Sequence, residues 1–475
     1  MKRILTLALA AVMLLSLTAC GGGKQKAESD GVPTLTWYVP GDKQADIASV
    51  MEKVNEITVP KIGAKLNLEF IDTNAFSEKM TMNMASGNDF DLCFTGWVNG
   101  YNNAVTKGGL MDLTELLKTT PDLVNSLPDY VWECAKIDGK IYAVPNFQTF
   151  ALPMGLVIMK NVADKYDFDF SKVHSLDDLE PFLEMVKQGE PDKIPFRHNW
   201  GSEMYYYGKW EEVGSSGMAI RCDGSTSKLE VLTDTPEYRH YLEKTKEWFD
   251  KGYIREDVVG LGDDTVDYRS GKYVVSCEGW KPGVQSDVEN DIGREVIVVK
   301  LTEPYMKMDG GIKTMIAIGA NSKNPEKAMK FIELVNTDKE LYNLIGFGIK
   351  DKHYTLDSDN KVTYIENGGY VPKMQWKFGN QFNALLLKGQ EDGIWEETKE
   401  VNDTAVKSPL IGFSLNTDNI RNELSQVSAV SKRYTVWQYS EELWKERDQK
   451  LKEAGLDKIK EDVQRQVDEF LSNKK

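Results

Sequence analysis

Catalytic equipment is what this chain has least of. Its four histidines stand apart at 174, 198, 240 and 353, with no H-E-x-x-H pair, so the common zinc-hydrolase signature is absent. No G-x-S-x-G elbow presents a serine nucleophile. None of the five cysteines falls in a C-x-x-C pair, which argues against zinc ribbons and thioredoxin-type redox centres. Gly310-Gly311-Ile312-Lys313-Thr314 lacks the glycine spacing of a phosphate loop, and Gly346-Phe347-Gly348 lacks the third glycine of a dinucleotide loop. The residues therefore predict no catalytic group and no cofactor. Adjacent acids such as Asp263-Asp264 and Glu211-Glu212 are common in an acidic chain and read as solvated surface groups. Positive charge is also short: 58 Lys and Arg face 74 Asp and Glu, a net charge of −16. That balance disfavours nucleic acid and a membrane-surface role for the body of the protein. Past the N-terminus, no apolar stretch is long enough to cross a bilayer.

What is present begins with a leader. Met1-Lys2-Arg3 is basic, residues 4–17 are almost unbroken apolar, and Leu17-Thr18-Ala19-Cys20 precedes a run of glycines. This order reads as a secretory signal peptide over residues 1–20. A cysteine directly after Leu-Thr-Ala resembles the bacterial lipobox, which implies lipid on the Cys20 thiol and cleavage before it. An ordinary cleaved signal with a chance cysteine is the plainer alternative. Residues 21–33 are polar and glycine-rich, a flexible tether. The remainder is long enough for about two or three domain-sized cores.

Periodicity then alternates. A strand pattern over residues 35–39 is followed by helical spacing at Ile47, Val50, Met51, Val54 and Ile57. Leu66, Leu68 and Phe70 alternate as a strand, Phe76, Met80 and Met84 mark a helix face, and residues 90–94 form another strand. This is the rhythm of a parallel α/β unit. Trp97 and Asn99 stand just past that last strand, where open α/β sheets place ligands. The stretch Asp138-Gly139-Lys140-Ile141-Tyr142-Ala143-Val144-Pro145-Asn146 reads as a turn, a strand, and a stop or sheet edge at Pro145. Pro181 is expected to kink or split a helix whose apolar face is Leu179, Phe182, Leu183 and Val186. Thr235-Pro236 starts a helix that Gly252 closes, and strands are expected over 272–276, 295–300 and 314–318. Residues 376–475 read as mostly helical, with Ile459, Val463, Val467 and Phe470 on one face.

Several of these stretches, in this order, resemble the extracellular solute-binding proteins, family 1, of ABC importers. They are residues 138–146, the helical start at 109–117, Lys251-Gly252-Tyr253-Ile254, Asn321-Ser322-Lys323-Asn324-Pro325-Glu326-Lys327-Ala328, and His353-Tyr354. Trp376, residues 379–383 and residues 408–413 resemble a C-terminal module of one lipoprotein subgroup of that family. The resemblance implies an α/β fold of the periplasmic-binding-protein-like type II, two lobes joined by a hinge with a helical C-terminal extension. Lobe 1 would hold residues 34–147 and 313–370; lobe 2 would hold 149–311 and 372–475. It implies a monomeric, lipid-anchored binding protein on the extracellular face, partnered by ABC permease subunits and an oligosaccharide. Asp167-Phe168-Asp169 lies near where some alginate-binding relatives carry a calcium loop, but the longer acidic run is missing at 189–192, so no metal is expected. Alternatives are a secreted glycan-degrading lipoprotein, a glycan-binding surface protein without a transporter, and a peptide or other polar ligand.

Eleven tryptophans suit a sugar ligand, whose apolar ring face needs an aromatic platform and whose hydroxyl rim needs hydrogen-bonding side chains. Trp248, on a clear helical face, reads as core. Trp97, Trp200, Trp280 and Trp376 are the candidate platforms, with Tyr205 beside them. Asn99, Asn146, Gln148 and Asn380 are the candidate edge groups, and Asn199 joins them by the same reasoning. Core packing is the competing explanation for each tryptophan.

Overall fold

The computed structural model describes residues 31–87 and 90–474; the leader, Cys20 and most of the tether lie outside them. The strands that carry the architecture are β1 (Thr34–Pro40), β2 (Lys65–Ile71), β3 (Leu92–Gly96), β4 (Ala143–Pro145), β5 (Met154–Met159), β6 (Ile194–Arg197), β7 (Tyr273–Gly279), β8 (Val296–Lys300) and β9 (Thr314–Ile318). They form two sheets, β2-β1-β3-β9-β4 and β8-β5-β7-β6.

In the first sheet β1 runs parallel to β2 and β3, and the late strand β9 is inserted antiparallel between β3 and β4. Alternation in β1 buries Leu35, Trp37 and Val39, as a period of two requires. Trp37 meets Phe331 of the helix Pro325–Thr337 edge-on at 5.5 Å. The opposite face packs Phe76, Phe94 and Met315. β4 is an edge strand, which is where Pro145 leaves no ladder donor missing. The expected single strand over 141–144 is in fact divided. Lys140–Ile141 pairs with Lys136–Ile137 as a hairpin, and only Ala143–Pro145 joins the sheet. Asp138 and Gly139, with φ of 50° and 77°, make the tight turn, the backbone that type I′ hairpins demand.

In the second sheet β5 is antiparallel to β7 and β8, and β7 is parallel to β6. Its core gathers Leu156, Ile158, Phe182, Phe196 and Trp248. Trp248 is buried 4.9 Å from Phe196, in the core role its helical face predicts. Pro181 does not kink a helix; it sits in the first turn of Glu180–Gly189, after a short 3₁₀ turn. There its missing N–H costs no internal bond. A further cluster joins Val213, Met218 and Ile220 to Ile459, Val463 and Val467 of the C-terminal helix Leu456–Asn473.

Residues 374–405 depart from expectation. Residues 374–384 were expected on the second lobe, yet Phe378 packs 5.7 Å from Trp37 and Phe382 lies 4.7 Å from Phe147, in the first core. Their ring area finds its apolar partners there. Asn402 then accepts from the amides of Phe150 and Ala151 at 2.8 and 3.3 Å and donates to the Gln148 carbonyl at 2.7 Å. The chain crosses between the sheets at residues 146–153 and 301–313, and Val406–Lys407 pairs with Tyr305–Met306 alongside the second crossing. Among the described residues no helix is long and apolar enough to cross a membrane.

Candidate functional site

Register fixes which strand ends share an edge. In the first sheet Pro40 pairs with Ile71, Gly96 with Thr314, and Pro145 with Met315. In the second, Gly279 pairs with Met154, Lys300 with Gly155, and Arg197 with Ser276. The crossings leave from Pro145 and Lys300 and arrive at Met154 and Thr314, so they join these two edges. The segments just past each strand end therefore flank the space between the two sheets, the usual location for ligands in α/β sheets.

On the first edge, the Trp97 amide donates to the Lys313 carbonyl at 2.9 Å, and the residue is 52% exposed. Gly96 makes this possible. A Cβ there would lie 2.0 Å from the Lys313 oxygen, and its φ of 141° suits glycine alone. Asn99 Oδ1 accepts from the Gly96 amide at 3.2 Å, while its buried Nδ2 has no partner among the described residues. Asn146 is fully buried; its Nδ2 donates to the Trp376 carbonyl at 3.3 Å and its Oδ1 is unpartnered. Gln148 Nε2 donates to Thr314 Oγ1 at 2.6 Å. Asn380 Oδ1 accepts from the Phe382 amide at 3.1 Å, capping a turn. The half-buried Trp376 ring lies 4.7 Å from the Lys377 ammonium. Lys377 donates to the carbonyl of Pro40 at 2.8 Å, and burial lowers its pKa to about 8.

On the second edge, Trp200 is 52% exposed at the start of the helix Trp200–Tyr207, which Asn199 caps through the Ser202 amide at 3.2 Å. Trp280 is half-buried, its amide tied to the Pro153 carbonyl at 2.7 Å and the Lys300 ammonium 5.3 Å from its ring. Between them stands a cluster that sequence reasoning missed. Arg197 donates to both oxygens of Asp264, at 2.7 and 2.5 Å, and to Glu278 at 3.1 Å, and lies 4.3 Å over Tyr268. Asn199 Nδ2 donates to Glu278 at 3.0 Å. Burial pushes the Glu278 carboxyl up, while the Arg197 hydrogen bonds hold Asp264 down. The only signal for this cluster was proximity: Arg197 and Glu278 each lie two or three residues from a singled-out tryptophan.

Two acidic pairs therefore differ from the solvated reading. Asp264 is bound in that cluster. Glu211 is 1% exposed and accepts from Tyr305 Oη at 2.9 Å, from Ser408 Oγ and from the Met308 amide. Burial raises its carboxyl above the usual range. Charge adjacency in sequence carries no information about such long-range partners. All four cysteines of the described residues are buried free thiols. Among the described residues no group of three or more His, Cys, Asp or Glu is placed to hold a metal ion.

A cavity of about 990 Å³ opens in the second lobe, bordered by Leu152, Met154 and Leu301 at the strand edge. Of the predicted site residues, only Tyr205 lines it. The structure thus distributes the ten predicted residues over two edges rather than gathering them in one pocket.

A family model described as Domain of unknown function (DUF3502) matches residues 409–472. A carbohydrate ABC transporter substrate-binding protein of Streptococcus pneumoniae serotype 4 is 28% identical over 97% of this chain and 96% of its own length. The crystal structure of the N-glycan transport solute-binding protein NgtS of S. pneumoniae superposes with a TM-score of 0.84. It covers 93% of this chain and 100% of that one, at 27% identity. The NgtS complex with Man5GlcNAc superposes at 0.75, with 26% identity, covering 93% of this chain and 99% of that one. Along almost its whole length, this chain is similar to the substrate-binding proteins of ABC importers. The resemblance carried by the sequence motifs is borne out, and the two-lobed α/β fold with it. The DUF3502 match covers the last helices and overlaps only the last of the three stretches, residues 408–413, read from sequence as a C-terminal module.

Proposed function

We propose that this chain captures an oligosaccharide in the cleft between its lobes and presents it to an ABC permease, without chemistry of its own. The observation that carries the reading is the pair of half-exposed tryptophans, Trp97 and Trp200, one on each strand edge. Each lies beside amide or charged groups able to meet hydroxyls. An exposed ring at a strand end offers the flat apolar face on which a sugar ring can stack. Contacts from both edges exist together only when the lobes close, so a ligand that touches both shifts the population toward closure. Lobe 1 is proposed to hold residues 34–147 and 313–370 together with the 374–405 segment; lobe 2 holds 149–311. The names of the relatives, a carbohydrate transporter component and an N-glycan transport protein, support a glycan. Arg197 lies bonded to both Glu278 and Asp264, so these two carboxylates are tied to one guanidinium rather than set across a scissile bond. Cys20 would carry the lipid that holds the protein, as a monomer, on the extracellular face beside the permease.

Residues 21–475 are screened by thermal shift against oligosaccharides, peptides and amino acids, with Trp97→Ala in parallel. A neutral oligosaccharide is expected to raise stability, by about 2.7 kcal/mol at 100 times its Kd. Trp97→Ala should weaken it about tenfold with its unliganded unfolding temperature unchanged. A shift with peptides alone would overturn the glycan. Hydrolysis products in the tube would restore the glycan-degrading alternative.

A further inference from the structure

The 990 Å³ cavity is not formed by the predicted platforms: Trp97, Trp200, Trp280 and Trp376 all lie outside it. Its walls come from the second lobe, with Val406 as the exception, so it is formed without a contribution from the first sheet. It borders the second strand edge through Leu152, Met154 and Leu301. Leu152, 42% exposed, packs on Gly279 at the end of β7, where a Cβ would meet its Cδ2 at 2.5 Å. The next residue, Trp280, is bonded through its amide to Pro153. A chain lying on Trp280 and continuing past Leu152 therefore enters the cavity.

The lining states what it accepts. Tyr205 and Tyr206 are packed at 5.4 Å, edge to face, and supply aromatic surface. Every carboxylate of the wall already has a partner. Asp177 accepts from Tyr206 Oη at 3.1 Å and faces His240 Nε2 at 2.6 Å. Glu237 accepts from Trp210 Nε1 at 2.9 Å, and Glu303 pairs with Lys300 at 3.1 Å. Arg221 is held by Asp223 at 3.3 Å and Glu237 at 3.5 Å, over the Trp210 ring. With Lys209 and Lys307 also in the wall, three cationic side chains stand against four carboxylates, so neither an acidic nor a cationic ligand meets a large excess of opposite charge. A polyhydroxylated, uncharged ligand stacks on the tyrosines and bonds to the outer lone pairs of these groups. The volume lies at the top of the range of about 300–1,000 Å³ for pockets that bury drug-sized ligands, more than one sugar ring requires.

We infer that this cavity is a second subsite, which takes a further stretch of the same oligosaccharide, uncharged and more than one residue long. The inference rests on the carbohydrate reading above. It assigns the cleft edge to one end of the ligand and the cavity to its continuation.

The test titrates the intact protein against an array of neutral and acidic glycans, each paired with its terminal disaccharide fragment. His240→Trp fills the cavity from the half-exposed face of the helix Pro236–Asp250. Tyr205→Ala removes an aromatic wall. The best ligand is expected to be neutral and to bind at least about tenfold tighter than its fragment. His240→Trp should erase that gain and leave fragment affinity within about twofold; Tyr205→Ala should reduce the gain. Intact fragment binding also shows that the variant is folded. Affinity that does not grow with length, a gain that survives His240→Trp, or a preference for acidic glycans would overturn the subsite and leave the carbohydrate reading standing. If no glycan of any length binds, the carbohydrate reading itself fails, and this inference with it.

Discussion

Lys377 shows how a single residue departs from its textual appearance. In sequence it is one lysine among many; in the fold the residue is 5% exposed, its ammonium by the Trp376 ring and bonded to the end of β1. Desolvation disfavours its charge, so its pKa falls to about 8. A lysine with a depressed folded pKa destabilises the fold while it is charged in both states, below about 8. As pH rises above that value the folded protein releases its proton first, and stability rises with pH up to the ordinary lysine range. Wild type should therefore gain stability relative to Lys377→Met between pH 8 and pH 10, read as the difference in unfolding temperature. A constant difference would show that Lys377 titrates normally. The amides tell a related story. Asn99, Asn146 and Asn380 are candidates for a sugar's rim, and each makes one backbone contact at the same edge, with Asn99 Nδ2 and Asn146 Oδ1 left without a partner among the described residues. Position at a strand end was legible; how each amide is satisfied depends on neighbours distant in sequence.

Helices and strands followed their signals closely where local chemistry is decisive. Thr314–Ile318 appears as expected, and the helix Pro236–Asp250 has Thr235 accepting from the Tyr238 amide at 3.3 Å, with Gly252 at φ 70° beyond its end. Pro181 belonged to a helix start because a proline in the first turn loses nothing, and the preceding 3₁₀ turn is compatible with the same local sequence. The 374–405 segment could not be placed from sequence, since it has little periodicity and docks through single aromatic rings. Phe378→Ala tests that placement. Truncating a fully buried ring costs about 3–5 kcal/mol, and the loss should appear as faster amide exchange in β1 and the helix Pro325–Thr337. Equal acceleration in β5 and β7 would contradict docking on the first core alone.

At the scale of the whole molecule, two independent cores are linked by crossings at 146–153 and 301–313, with Val406–Lys407 as a third strut. Few connections between two rigid bodies are the condition for hinge motion. The Asn402 bonds to the first crossing, and the Glu211 bonds to Tyr305 and Ser408 at the second, tie the C-terminal segment into that hinge. The body carries no membrane-crossing helix among its described residues, so the proposed anchoring depends on Cys20. Cys20→Ser should move the protein from the membrane fraction of the cells that express it to the medium or periplasm, measured by fractionation. Retention at the membrane would reject the lipid tether.

The sequence alone determined what is local or ordered along the chain: the α/β rhythm, the turn chemistry, and the run of motifs whose order resembles that of solute-binding proteins. These depend on short-range sterics and periodicity, which survive without knowledge of neighbours. Only the tertiary structure decided which strand ends share an edge, since β9 enters the first sheet after more than two hundred residues. It likewise decided the burial of Glu211, the Arg197 cluster, the seat of Phe378 and the cavity beside Tyr205. Each of these is made by side chains from distant segments, and their pairing is set by packing and charge compensation that no local window contains.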